Sequence, residues 1–270
     1  MLARGKEVVL FVDQIVYEDD DVLVLNKPAG VVVNRAQSVK QKTIQDWVEK
    51  YLAKQDQSPA LWTSLVPDDF SREYGSPEEV FAERGGIAHR LDKETSGALM
   101  IAKNPGSLVS LLQQFRERTI KKTYTALAHG ALPESEELFS APLGRLPGKS
   151  GKFGVIADGR PSETIFKAIK HYSLQKKDWP NFYGEFSLVE AKPRTGRTHQ
   201  IRVHLAYLSH PIVSDSLYVG RKHLRIDKQW CPRQFLHASK IAFTHPRSGE
   251  RVEVETELAK DLQESLTKLL

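Results

Sequence analysis

The sequence predicts an α+β fold with a mostly antiparallel mixed central sheet flanked by helices. Segments with the two-residue alternation of strands arrive singly and in hairpins, and few helical segments separate them. No Gly-x-Gly-x-x-Gly motif follows a strand, which argues against a doubly wound parallel sheet. The chain has 270 residues, 40% of them hydrophobic, and we expect it to form a single domain over residues 1–270.

The N-terminal part is expected to form strands and then a helix. Apolar runs at residues 8–12, 22–25 and 31–33 predict two or three strands. Thr43 is expected to cap a helix, because apolar residues follow it at positions i, i+3, i+4 and i+7: Ile44, Trp47, Val48 and Tyr51. Residues 55–83 contain three prolines and no sustained period, which predicts a long loop or an insertion.

The rest of the chain continues this mixed pattern. Asn104 followed by Pro105 predicts a helix start, and the residues after it form one apolar stripe: Leu108, Leu111, Leu112 and Phe115. Strands are predicted at residues 98–102, 123–128, 163–172 and 182–191, and a last helix at about residues 258–269.

The distribution of charge suits a polyanionic partner. Residues 1–100 carry 12 Lys and Arg against 17 Asp and Glu, a net −5, so the remaining 27 against 17 give +10. The segment from Glu190 to Lys240 contains 10 basic and 3 acidic residues. A nucleic acid, whose phosphates shed counterions on binding, fits this excess, but so does a solvated basic face.

Several functional classes lack their usual residues. Cys231 is the single cysteine, so neither an internal disulfide nor a Cys-rich metal site is expected. The sequence has no membrane-length apolar run and no signal-peptide core at its start, so we expect a cytoplasmic protein. Gly144–Ser150 resembles a phosphate-binding loop, but three residues separate its glycines where four are needed. We expect no metal and no cofactor.

A dense polar stretch lies between Gly85–Gly86 and the apolar run of residues 98–102. It contains Asp92. On the residues alone, Asp92 fits an ordinary turn residue that accepts hydrogen bonds from Thr95 or Ser96.

Residues 89–97 nevertheless resemble the His-Arg-Leu-Asp-x-x-Thr-Ser-Gly signature of the RluA family of pseudouridine synthases, with every fixed position matched. Four further blocks follow the order of the family: residues 15–19 with 26–30, 121–126, 196–204, and 236–238 with 243–246. The resemblance covers about residues 14–250. It departs from the family at Ser214, where a glycine is usual, and no S4-type module is expected before residue 15.

The resemblance implies the pseudouridine synthase fold and an enzyme that isomerises specific uridines in large-subunit ribosomal RNA or transfer RNA, without a cofactor. It assigns the nucleophile to Asp92, which would attack either ribose C1′ or base C6. It assigns the tyrosine that stacks on the uracil to Tyr124, and the guanidinium that keeps the nucleophile ionised to Arg202. Without the resemblance, Tyr124 fits a core residue and Arg202 fits a phosphate contact or a surface salt bridge. Thr198 is expected to cap the helix that carries Arg202.

RNA is the expected partner, bound by a monomer. Arg90 is expected to fill the gap left by an extruded uridine, although it could instead form a salt bridge to Glu94 or Asp92. The other predicted substrate-binding residues are Thr95, Arg194, Arg197, His199 and Gln200, with further phosphate contacts at Lys192 and at some of Arg221, Lys222 and Arg225. The alternatives are an RNA-binding module that has lost catalysis, which would lack one of the three catalytic residues, and a methyltransferase, which would need a cofactor site.

Overall fold

The computed structural model describes residues 11–37, 39–56, 58–70, 75–148, 151–174, 179–180 and 183–270. The chain divides into two compact units. The first consists of Met1–Ile120 and Lys240–Glu257, and the second of Lys121–Ser239 and Leu258–Leu270. Among the described residues, no helix has the length and apolar character needed to span a bilayer.

Both units contain strands and helices. The strands are β1 Ile15–Glu18, β2 Val22–Lys27, β3 Ser96–Ala102, β4 Lys121–His129, β5 Glu137–Ser140, β6 Leu143–Arg145, β7 Phe153–Val155, β8 Glu163–Ser173, β9 Glu185–Pro193, β10 Leu236–Thr244 and β11 Arg251–Glu255. The α-helices are α1 Ile44–Leu52, α2 Pro77–Arg84, α3 Pro105–Glu117, α4 Gln200–Tyr207, α5 Arg221–Asp227 and α6 Lys260–Thr267. Short 3-10 helices lie at Val12–Gln14, Pro59–Leu61 and Thr63–Leu65.

The first unit is built on strands in the order β1-β2-β3-β10, with β11 paired to β10. The pairings of β1 with β2, β2 with β3, and β10 with β11 are antiparallel. All seven residues of β3 are buried. Leu108 and Leu111 of α3 complete this core against Met100 and Phe243, so the polar turn that precedes β3 is attached to the most buried strand of the unit.

The second unit has the strand order β10-β4-β9-β8-β5, and β6 and β7 form a separate hairpin. The pairings of β4 with β9, β9 with β8, and β8 with β5 are antiparallel. Helices α4, α5 and α6 contribute Leu205, Ile226 and Leu262 to the same core as Leu127 and Phe186. This core positions α4, the helix that carries Arg202.

The predicted fold class is confirmed, and so are most of the predicted elements. Thr43 caps α1 with a capping box, since its hydroxyl accepts from the Asp46 N–H while the Asp46 carboxylate accepts from the Thr43 N–H. Asn104 caps α3 by accepting from the Ser107 N–H. The predicted strands at residues 98–102, 123–128 and 163–172 correspond to β3, β4 and β8.

Three local predictions were wrong. Residues 31–33 are not a strand, because the carbonyls of Val32 and Val33 accept hydrogen bonds from the first N–H groups of α1. Val12 begins a 3-10 helix instead of ending a strand, while residues 8–10 and Phe182 lie outside the described residues. The end of the 55–83 segment is helical, because Ser76 and Glu79 form a capping box and Pro77 occupies the first turn of α2.

Candidate functional site

The predicted nucleophile lies on a turn that leads into β3. The Thr95 N–H donates to the Asp92 carbonyl at 3.1 Å, which closes the turn. Leu91, Thr95 and Ser96 are buried around it, whereas Asp92 is half-buried. The turn therefore presents one carboxylate at the edge of an otherwise buried stretch.

Lys27, at the end of β2, fixes this turn from inside the first unit. Its side chain is fully buried, and its ammonium donates to the carbonyls of Pro28, Val31 and Lys93 at 2.8, 2.9 and 3.2 Å. The Gly30 N–H donates to the same Lys93 carbonyl at 2.8 Å. Because Lys93 directly follows Asp92, these bonds hold the backbone next to the predicted nucleophile.

His89 fixes the other side of the turn. Its Nε2 accepts the Met100 N–H at 3.0 Å, so Nε2 carries no proton, and its ring packs on Phe115 of α3 at 5.2 Å. Arg90, the next residue, is exposed. Thr95 is 2% exposed, so almost none of its surface is available for contact with a substrate.

The other predicted site residues lie in the second unit. Tyr124 is half-buried on β4, opposite Ala191 of β9, and packs against the core of this unit. Lys122 lies two residues earlier and therefore on the same face of the strand. A Cβ atom on Gly196 would lie 3.6 Å from the Lys122 ammonium, so this side chain reaches the loop before α4.

Lys122 was not predicted as a site residue from the sequence. Its side chain is half-buried, and desolvation by the surrounding protein lowers the pKa of its ammonium from 10.5 to about 8. Strand alternation with Tyr124 was the signal that could have selected it, because residues i and i+2 of a strand share a face.

Gln200 organises the loop before α4. Its side-chain carbonyl accepts from the Thr195 hydroxyl at 2.7 Å and the Arg197 N–H at 3.0 Å. Its amide nitrogen donates to the Glu163 carbonyl and the Thr164 hydroxyl, both at 2.9 Å. Direct contact of Gln200 with RNA was expected, whereas the structure buries its amide and uses it to shape the loop.

His199, the N-cap residue directly before α4, has a left-handed conformation with φ 57°. No side chain of the described residues caps the helix, whose N-cap is His199, so the prediction that Thr198 caps it was wrong. His199 Nδ1 lies 2.9 Å from the Tyr218 hydroxyl, and its ring packs on Phe153 of β7 at 5.6 Å. A non-glycine residue in this region is strained, and such strain is concentrated at functional sites.

Arg202 points into the second unit and is 5% exposed. Its Nε and Nη2 donate to the two carboxylate oxygens of Asp215 at 2.7 and 2.8 Å, a bidentate ion pair. Asp215 itself is fully buried. The guanidinium carbon also lies 5.1 Å from the centre of the Tyr218 ring. Neither partner was predicted from the sequence.

The basic excess at residues 190–240 is partly neutralised inside the protein. Five of its ten basic residues form ion pairs with acidic side chains: Lys192, Arg194, Arg202, Arg233 and Lys240. The other five have no ion pair among the described residues: Arg197, Arg221, Lys222, Arg225 and Lys228. The Arg197 Nε donates to the Pro161 carbonyl at 3.2 Å. About half of the counted charge is therefore available for phosphates.

A second polar cluster lies in the first unit, where ligand atoms of Asp19, Asp21 and His245 fall within 4.8 Å of one another. Arg247 donates to both oxygens of Asp21 at 2.6 and 2.7 Å, and Asn104 adds a bond at 2.9 Å. Burial opposes ionisation of Asp21, but these bonds hold its pKa below the usual range. The guanidinium supplies the positive charge that a cation would bring, so the cluster ties the β1–β2 turn to the β10–β11 turn.

Known proteins resemble this chain over most of its length. The model of the family described as RNA pseudouridylate synthase matches residues 21–207. Ribosomal large subunit pseudouridine synthase D of Neisseria meningitidis serogroup B is 35% identical over 262 residues, 94% of this chain and 60% of the relative. Ribosomal large subunit pseudouridine synthase C of Escherichia coli is 35% identical over 272 residues, 98% of this chain and 72% of the relative.

The fold is shared with solved structures. Human RNA pseudouridylate synthase domain containing 1 superposes with a TM-score of 0.63 at 28% identity, over 95% of this chain and 94% of the human one. Human RNA pseudouridylate synthase domain containing 4 superposes with a TM-score of 0.65 at 23% identity. The chain spans 60% of the Neisseria relative and 72% of the Escherichia relative. The family match, the two relatives and the shared fold agree, and the chain belongs to the RNA pseudouridylate synthase family, as its RluA-type signature predicted.

Proposed function

We propose that this protein isomerises uridine to pseudouridine in RNA, with Asp92 as the nucleophile. The observation that carries the proposal is the half-buried Asp92 carboxylate, which stands on a turn held from inside by Lys27 and His89. A rigid turn suits a nucleophile, because catalysis depends on holding the reacting atom in an attack geometry. Family membership supplies the reaction type.

The reaction rearranges the substrate without adding atoms to it. The bond from base N1 to ribose C1′ breaks, the base turns, and a bond from C5 to C1′ forms. C5 loses a proton and N1 gains one, so the products balance without a redox agent or a group donor. The Asp92 carboxylate would stabilise the detached state by attacking either ribose C1′ or base C6.

Two residues of the second unit are proposed to serve this reaction. Tyr124 would stack on the uracil, for which its half-buried position on β4 is suited. Arg202 would supply a positive charge that favours the ionised nucleophile. Its bidentate bond to Asp215 fixes the orientation of the guanidinium, which supports an electrostatic role more than a mobile phosphate contact.

The proposed substrate is large-subunit ribosomal RNA, the RNA that the names of the bacterial relatives specify. The target uridine must leave its stack to reach a carboxylate, and the exposed Arg90 is proposed to fill the vacated space. Arg194, Arg197 and His199 would contact the backbone beside it. Each loss of a phosphate contact should weaken binding evenly across RNA sequences.

Substitution of the nucleophile tests the proposal. Asp92→Asn and Asp92→Ala are expected to abolish tritium release from RNA labelled at uridine C5 and to retain RNA affinity in a filter-binding assay. Asp13→Asn is the matched control, since Asp13 is an exposed acid of the same unit, and its activity should equal that of the unmodified protein. Turnover by Asp92→Ala would refute the nucleophile.

The substrate is tested separately. Pseudouridines are mapped in total RNA from cells with and without the gene, and a site in large-subunit ribosomal RNA should disappear and return only with active protein. Disappearance of a transfer RNA site instead would reject the proposed substrate and leave the chemistry intact.

A further inference from the structure

Arg202 is held by two side chains that have no assigned role. Asp215 binds its Nε and Nη2 at 2.7 and 2.8 Å, and the Tyr218 ring lies 5.1 Å from its guanidinium carbon. We propose that Asp215 and Tyr218 are positioning residues, which fix the Arg202 guanidinium in the orientation that the reaction requires. The inference rests on the proposed role of Arg202.

The burial of the pair supports a positioning role. Arg202 is 5% exposed and Asp215 is fully buried, so both charges have left water. A buried ion pair is a weak source of stability, because desolvation offsets much of the attraction. What a bidentate pair does supply is geometry, since both N–H groups and both oxygens must be coplanar and aligned.

Asp215 is itself fixed by the backbone. One carboxylate oxygen, Oδ1, also accepts the Leu217 N–H at 3.0 Å, and the neighbouring Ser214 is anchored by its N–H to Asp227 at 2.8 Å. Ser214 adopts a left-handed backbone with φ 61°, at the position where the family usually has glycine. The turn that carries Asp215 is therefore rigid, and the orientation of Arg202 inherits that rigidity.

Tyr218 connects Arg202 to the β6–β7 hairpin and to the strained start of α4. Its hydroxyl accepts the Phe153 N–H at 3.1 Å and lies 2.9 Å from His199 Nδ1. Its ring is half-buried beside the guanidinium, where a cation is attracted to the aromatic face. A displacement of the hairpin would reach Arg202 through this ring.

The test compares single-turnover rates at saturating enzyme with RNA affinity. Asp215→Asn is expected to lower the single-turnover rate by about 100-fold, the effect of a displaced catalytic group, and to leave the RNA dissociation constant unchanged. Asp215→Glu should recover part of the rate, because it restores the negative charge. Tyr218→Leu should lower the rate by about tenfold with the same affinity.

A matched ion pair in the same unit provides the control. Arg233 Nε and Nη2 donate to Asp261 at 2.7 and 3.0 Å, the same bidentate arrangement. Asp261→Asn should lower the unfolding midpoint and leave the single-turnover rate of the folded protein unchanged. If Asp261→Asn and Asp215→Asn reduced the rate equally, Asp215 would be a structural residue and the inference would be overturned.

A double-mutant cycle separates this inference from the proposed function. If Asp215 acts through Arg202, Asp215→Asn should cause no further loss of rate in an Arg202→Met background. Additive losses would overturn the inference and leave the proposed function standing. Full activity of Arg202→Met would reject the proposed role of Arg202 itself, and the inference with it. If Asp215→Asn does not fold, Tyr218→Leu in the same cycle decides by the same criteria.

Discussion

His204 on α4 gives the protein a predicted loss of stability between neutral and acid pH. It is fully buried, with Nε2 at 2.8 Å from the Ser162 hydroxyl and Nδ1 at 3.0 Å from the Thr164 hydroxyl. The Ser162 proton is donated to the Ala141 carbonyl, so Nε2 donates to Ser162 and Nδ1 accepts from Thr164. A second ring proton, on Nδ1, would displace the hydrogen bond from the Thr164 hydroxyl.

Burial lowers the pKa of His204 from 6.5 to about 4. The unfolded chain binds a proton at this histidine near pH 6.5, whereas the folded protein binds it only near pH 4. The contribution of His204 to the free energy of unfolding is therefore fully present above pH 6.5 and is lost as the pH falls towards 4. The two pKa values differ by about 2.5, and a difference of one in pKa corresponds to about 1.4 kcal/mol. His204 therefore contributes roughly 3 kcal/mol to the free energy of unfolding, of which about 2 kcal/mol is lost by pH 5.

Urea unfolding at pH 7.5 and at pH 5 measures this contribution. His204→Gln keeps one donor and one acceptor but does not titrate, so the stability advantage of the unmodified protein over this variant should shrink by about 2 kcal/mol at pH 5. His171→Gln, which replaces a more accessible imidazole of the same unit, serves as the control for the His-to-Gln substitution itself. An advantage that is the same at both pH values would refute the reasoning.

Three further predictions concern the predicted site and its charge. Lys27→Met removes three buried hydrogen bonds, so the free energy of unfolding should fall by about 3 kcal/mol and the single-turnover rate should also fall. If neither value changed, Lys27 would not fix the Asp92 turn. RNA affinity should weaken as the pH rises through about 8, because the Lys122 ammonium loses its charge there. Lys122→Met should remove that pH dependence, and an identical pH profile in the variant would contradict a contribution of Lys122 to RNA binding. If the five basic residues of the 190–240 segment without ion pairs each neutralise one phosphate, the logarithm of the binding constant should fall against that of the salt concentration with a slope of about −4; a slope steeper than about −6 would require other cations.

The sequence predicted those elements whose signals are local. The cap at Thr43 and the Asn104–Pro105 start each depend on a few adjacent residues, and both helices begin where predicted. Strand prediction failed at residues 31–33, because the Val32 and Val33 carbonyls bond to α1, a partner that alternation does not reveal. The α2 start was missed because prolines in the same segment suggested a loop.

The candidate site shows the same division. Asp92, Tyr124 and Arg202 came from a resemblance in sequence, which identifies residues one position at a time. Asp215 and Tyr218 became visible only from distances, since the pattern around them indicated no more than a turn. The inward burial of Gln200 was likewise hidden, because an amide in a basic block fits RNA contact equally well until its four bonds are seen.

Two of the three candidate groups, Asp92 and Arg202, nevertheless have a buried charged residue behind them. Lys27 ends the apolar run of β2 and is fully buried behind the Asp92 turn, and Asp215 follows Ile212, Val213 and Ser214 and is fully buried behind Arg202. An apolar residue at either position would avoid the cost of desolvating a charge, and burial alone gives no reason for an ion there. At these two positions the buried charge is accounted for by the neighbouring group that it orients. Lys27 fixes the turn of the proposed nucleophile, and Asp215 fixes the guanidinium proposed to act on it.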